Sequence, residues 1–187
     1  MRRALLPAAL IFLWADRPAL ATLTTRLSIE ELAERSERIV QGRCIRTWSS
    51  WDAERQFIWT HSEILVSSAL KGGRTAAVVV SEPGGAVDGV EMTVEGMPRY
   101  QPGEELVLFL YRTPVGLVRS RGLAQGRFQV ASDPAGSRIV RQNLQGAVVV
   151  DSSGAASFAG RRLLDGMPLE AFLSTVRGIL AGQGGGR

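Results

Sequence analysis

Apolar residues recur with two different periods along this chain. Between Ile39 and Asp151 they come in short β-prone runs broken by Gly and Pro, namely Ile39–Trp48, Phe57–Ser67, Thr75–Ser81, Val90–Val94, Glu105–Arg112, Arg127–Val130, Arg138–Arg141 and Ala147–Asp151. On either side of that region the spacing is helical. Ser28-Ile29-Glu30-Glu31 forms a capping box, in which the Ser28 hydroxyl and the Glu31 carboxylate satisfy two otherwise orphaned backbone donors. Ile29, Leu32 and Ala33 then give a short helix one apolar face, and Glu31/Arg35 and Glu34/Arg38 are spaced as ion pairs on its wet side. At the other end, Leu169, Phe172, Leu173, Val176 and Leu180 make one stripe on a helix over Pro168 to Leu180.

The run Leu106-Val107-Leu108-Phe109-Leu110-Tyr111 has no polar alternation, so both faces of that strand must be covered, and it is the expected centre of the fold. Pro83-Gly84-Gly85, Pro102-Gly103 and Pro134-Ala135-Gly136 read as turns, because Pro presets φ and Gly accepts positive φ. Helix, five or more antiparallel strands and helix predict a mostly β (α+β) domain: a small OB-like barrel, closed or nearly so, with a helix on each flank. No internal repeat occurs.

The first 21 residues have a different character. Arg2 and Arg3 precede eleven uncharged, apolar residues from Ala4 to Trp14, and Ala19-Leu20-Ala21 supplies the small-x-small pattern of a signal-peptidase site. Eleven residues at about 1.5 Å each reach roughly half of a hydrocarbon core, so a cleaved leader is expected and not a permanent span. The expected product is exported to the periplasm or beyond, with a single domain over 22–181 and a Gly-rich tail at 182–187. No later stretch is long and apolar enough to span a membrane.

Composition narrows the function classes further. Losing Arg2, Arg3, Arg17 and Asp16 with the leader lowers the net charge from +4 to +2, too small a bias to imply nucleic acid. The chain has one cysteine, Cys44, so no internal disulfide forms and packing alone must hold the fold. With one histidine, His61, a zinc site lacks ligands, and no phosphate-binding loop, nucleophile elbow or other cofactor motif is present. Ser68-Ala69-Leu70-Lys71 has the Ser-x-x-Lys spacing but ends a predicted strand, where one helical turn cannot bring the pair together. Glu30, Glu31, Glu34 and Glu37 suit a helix N-terminus and arginine partners better than a cation.

Two places remain where chemistry could sit. Cys44 and His61, with Asp52 or Glu63, are the ingredients of a thiol nucleophile and its base. Strand parity opposes that pairing: Val40, Gly42 and Cys44 share one face, and Ile58, Thr60, Ser62, Ile64 and Val66 put His61 on the other, unless a bulge intervenes. The second place is Trp48, Trp51 and Trp59, interleaved with Arg43, Arg46 and Arg55 around the first hairpin. Rings and guanidiniums so placed can stack on a sugar or a protein partner, or can simply cover the sheet as cross-strand pairs. Trp51, in a polar stretch expected to be a loop tip, is the natural anchor.

Val40-Gln41-Gly42-Arg43, Phe57-Ile58-Trp59-Thr60 running into Leu70-Lys71-Gly72, and Pro102-Gly103-Glu104-Glu105 leading to Val107-Leu108-Phe109-Leu110 resemble a group of exported bacterial proteins. These carry a netrin-like or tissue-inhibitor-of-metalloproteinase-like OB barrel. The resemblance covers Ile39 to Val130 and implies a five-stranded barrel with flanking helices that binds proteins outside the cell. The inhibitors' N-terminal cysteine and disulfides have no counterpart, since the expected mature N-terminus is Thr22. The resulting expectation is a non-enzymatic exported binding module. A loop-based partner of a secreted protease and a Cys/His hydrolase are its rivals.

Overall fold

A computed structural model describes residues 23–144, 148–150, 156–157 and 166–184. The expected leader lies outside the described residues. In chain order the elements are β1 (Leu23–Thr25), α1 (Ile29–Arg35), β2 (Arg38–Trp51), β3 (Ile58–Lys71), β4 (Ala77–Pro83), β5 (Gly85–Val87), β6 (Val90–Met92), β7 (Glu105–Arg112) and β8 (Val118–Ser120). After a 3-10 turn at Leu123–Gly126 come β9 (Arg127–Ser132), β10 (Arg138–Gln142), β11 (Val148–Val150), β12 (Ala156–Ser157), β13 (Met167–Pro168) and α2 (Leu169–Gly184). The protein is mostly β, and its centre is an eight-stranded sheet in the order β13-β10-β9-β7-β2-β3-β4, with β8 beside β7. Every pairing in that sheet is antiparallel.

Strand β7 occupies the expected residues and is covered on both faces. Its odd side chains, Val107 and Phe109, join Ile39, Phe128, Val140 and the apolar faces of α1 and α2. The even ones, Leu106, Leu108 and Leu110, join Val40, Cys44, Ile64, Val78, Val80 and Tyr100. Strand β7 therefore serves both cores, as β2 does through Ile39 on one side and Val40 and Cys44 on the other, and alternation along it assigns each side chain to its layer.

At α1 both capping-box bonds form: the Glu31 N–H donates to Ser28 Oγ at 3.1 Å and the Ser28 N–H to Glu31 Oε2 at 2.9 Å. Arg35 pairs with Glu31 at 3.0 Å. Ser36 then turns the backbone extended, so Arg38 already belongs to β2 and the expected Glu34–Arg38 pair is not made. The chain's single lysine finishes the helix: Lys71 Nζ donates to the carbonyls of Ala33 and Glu34, placing a cation on the negative end. In α2, Leu169, Phe172, Leu173 and Val176 are buried as their stripe requires. Pro168 precedes the helix and pairs with Ile139 instead. The helix also continues to Gly184, past the residue where the Gly-rich tail was expected to begin, since each added residue needs only its own backbone bond to propagate.

A closed barrel does not form. The sheet is open, and no backbone ladder joins β4 to β8, although the two strands lie side by side. A side chain bridges them. The Glu82 carboxylate reaches from β4, its Oε1 accepting the Ser120 N–H at 2.7 Å and its Oε2 the Arg119 Nε–H at 3.1 Å. Pro83, with no N–H to give, and Gly84, at φ 104°, end β4 at that point, so a ladder cannot be extended there.

Candidate functional site

The first hairpin, β2–β3, carries most of the aromatic and basic residues singled out from the sequence, and one irregularity decides where each points. Cys44 pairs with Ile64 but Arg46 pairs with Glu63, leaving Ile45 as an extra, exposed residue in β2. Before this bulge the even residues Val40, Gly42 and Cys44 face the interior. After it they face out, so Arg46, Trp48 and Ser50 stand opposite Glu63, His61 and Trp59 on the outer face. Gly42 sits where β2 and β3 come closest: a Cβ there would lie 2.4 Å from the Leu65 carbonyl oxygen.

On the outer face Trp48 is 37 % exposed. Its ring stacks on the His61 imidazole with centroids 5.3 Å apart, and the Arg46 guanidinium lies 4.6 Å from its centroid. Glu63 holds Arg46 through its Nε–H. Trp59 shares this face and has the Arg119 guanidinium 5.7 Å from its centroid. His61 is fixed from both sides, by Ser50 Oγ at 2.9 Å from Nε2 and Ser81 Oγ at 2.8 Å from Nδ1. Burial holds its pKa below the ordinary value, which keeps the ring neutral at neutral pH.

Trp51 does not belong to this patch. It is the half-buried last residue of β2 and not a loop tip, and it pairs with Ile58 on the opposite face. Its Nε1–H donates to Asp88 Oδ2, which also accepts from Arg55, both at 3.1 Å. Arg55 and Trp51 thus tie the hairpin end to the β5–β6 turn, and Asp52 closes the intervening loop by accepting the N–H groups of Gln56 and Phe57. Arg43 is in a third place, donating to the Gly103 carbonyl at 2.7 Å beside Glu105. Of the six residues, Trp48, Trp59 and Arg46 come together; Trp51, Arg55 and Arg43 do not join them.

Cys44 is fully buried in the interior cluster, its Sγ 3.7 Å from the Arg46 carbonyl oxygen, while both ring nitrogens of His61 are engaged by serines on the other face. Burial, with Glu104 adding to it, pushes the thiol pKa up. Iodoacetamide should therefore modify Cys44 in the native full chain at least 100-fold more slowly than in urea. Rapid native labelling that disappears in His61→Ala would instead restore the hydrolase reading.

The sequence reading missed a second group, on the hairpin's inner face. Glu82 is 2 % exposed, and Tyr100 beside it is buried with its hydroxyl 2.5 Å from Ser120 Oγ. Desolvation pushes Glu82 up to about 7 despite the opposing influence of Arg119 and of the Ser120 hydrogen bond. A cavity of about 190 Å³ opens here, between Glu82–Gly85 and Val94–Tyr100. Gly85 walls it closely enough that a Cβ would lie 2.4 Å from Thr60 Oγ1. The signal was parity: Val78, Val80 and Glu82 share the inward face of β4, but the predicted strand stopped at Ser81, one residue short.

Among the described residues no group of three or more His, Cys, Asp and Glu side chains is arranged to hold a metal ion, and no helix is long and apolar enough to cross a membrane. No protein-family model matches the chain, and no curated protein matches it either.

Proposed function

We propose that this chain is an exported, non-enzymatic binding module that takes a glycan or protein partner outside the cytoplasm on the outer face of its first hairpin. The observation that supports this reading is the Trp48 ring, exposed yet in contact with both the Arg46 guanidinium and the His61 imidazole. A ring already fixed loses little freedom when a partner covers it, so its apolar area converts efficiently into affinity. Trp59 lies on the same face. The leader pattern at 1–21 supports export. In this reading the open sheet is a version of the OB-like, netrin-like barrel whose β4–β8 edge is joined by Glu82, with α1 and α2 as its flanking helices.

Substitution at two tryptophans separates binding from folding. Trp48→Ala should weaken capture on a glycan array or on immobilised extracytoplasmic proteins by roughly 30-fold, the equivalent of about 2 kcal/mol, with little change in melting temperature. Trp51→Ala should do the reverse, lowering the melting temperature by releasing Asp88 while leaving capture intact. Unchanged capture by Trp48→Ala would remove the outer face from consideration.

A further inference from the structure

The cavity between the end of β4 and Val94–Tyr100 is on the opposite side of the hairpin from the Trp48 face, and its chemistry is different. Its walls are Pro83, Val94, Met97 and Pro98 together with Tyr100, whose hydroxyl is engaged by Ser120 and which therefore offers the cavity its ring. At about 190 Å³ it is slightly larger than the roughly 150 Å³ apolar cavity known to take benzene, and it accommodates one aromatic ring or branched alkyl group. A sugar ring would bring a shell of hydroxyls into a wall with few partners for them, and each unpaired hydroxyl would count against binding.

The polar groups give the ligand a direction. At the inner end, Glu82 and Arg119 are engaged with each other, and each carboxylate oxygen already accepts a hydrogen bond, so that end is already partnered within the protein. At the outer end, Arg99 lines the cavity and is exposed, and it has no ion-pair or hydrogen-bond partner among the described residues. A guanidinium left unpaired at the mouth of an apolar cavity matches a planar carboxylate, which it can hold through two parallel N–H···O bonds.

We propose that this cavity is a binding site for a small carboxylic acid, its aromatic or branched apolar body inside against Met97, Pro98 and Tyr100 and its carboxylate at the mouth on Arg99. The site is independent of the outer face, so either can fail without the other.

Phenylacetate and 2-phenylethylammonium are matched probes of opposite charge, and their binding to the full chain can be followed by calorimetry and by the Met97 methyl resonance. Phenylacetate should bind saturably and at least fivefold more tightly than the amine. Arg99→Glu, a change at an exposed side chain, should reverse that order. Val94→Trp, which fills the cavity from its rim, should abolish binding of both probes while the far-ultraviolet circular dichroism stays native. Trp48→Ala should leave both affinities unchanged. Equal affinities of the two probes, an order that Arg99→Glu does not reverse, or phenylacetate binding that survives Val94→Trp would each overturn the proposal.

Discussion

Phe109→Ala should lower the unfolding free energy by about 3–5 kcal/mol, a large fraction of what a domain of this size possesses. Phe109 is fully buried in β7, and its ring meets Phe128 at 5.6 Å and Phe172 at 6.4 Å between centroids, while Phe128 and Phe172 meet at 4.7 Å. Truncation therefore removes a ring that joins β7 and β9 to α2, and rigid backbone on all sides leaves a cavity that cannot collapse. Leu108→Ala acts on the opposite layer, against Val40, Cys44 and Ile64, and should cost about 2–5 kcal/mol. Chemical denaturation of both variants checks the assignment. A wild-type midpoint in either would mean that β7 does not serve both cores.

The second large effect is a dependence of stability on pH that runs opposite to ordinary acid denaturation. Burial raises Glu82 from an ordinary 4.5 to about 7, so between those values the folded state binds a proton that the unfolded chain releases. The contribution is fully present below about 4.5 and is lost as pH rises through 7; its size is on the order of 3 kcal/mol, or roughly 6–12 °C in melting temperature. His61 works the other way. Its lowered pKa means that the fold resists charging it, so stability is lost as pH falls below the ordinary histidine value of 6.5. Melting temperature should consequently climb from pH 8 to 6.5 by roughly 2–4 °C, reflecting only about 1 kcal/mol of this, and then flatten where the opposing His61 contribution sets in. Glu82→Gln keeps a carbonyl oxygen for the Ser120 N–H and should erase the climb. A Glu82→Gln profile with the wild-type slope would show that another group carries it.

Cys44 inside and His61 outside followed from alternation alone, because both lie in runs with clear apolar partners, Val40 and Gly42 for one and Ile64 and Val66 for the other. Trp48 and Trp51 did not follow. They lie beyond Ile45, and a single extra residue reverses every later side chain while leaving no mark in composition. Arg43, close to the tryptophans in sequence, is on the near side of the bulge and is held by Gly103 and Glu105 instead. The short strands β1, β5 and β8 were also invisible, since none of them lies in a β-prone run.

By itself the sequence determined the features whose physics is local or carried by one unbroken pattern. These are the capping box of α1, the apolar stripe of α2 and the continuous apolar run of β7, which demands cover on both faces. Tertiary structure alone decided the rest. Whether the sheet closes depends on whether distant edges can exchange backbone hydrogen bonds, and Pro83 and Gly84 at the end of β4 leave that to the Glu82 carboxylate. Which tryptophan meets solvent depends on where β3 takes up register with β2. That register buries Ile64 against Tyr100, Leu106 and Leu108 far along the chain, and it is the bulge in this pairing at Ile45 that turns Trp48 outward and Trp51 towards Asp88.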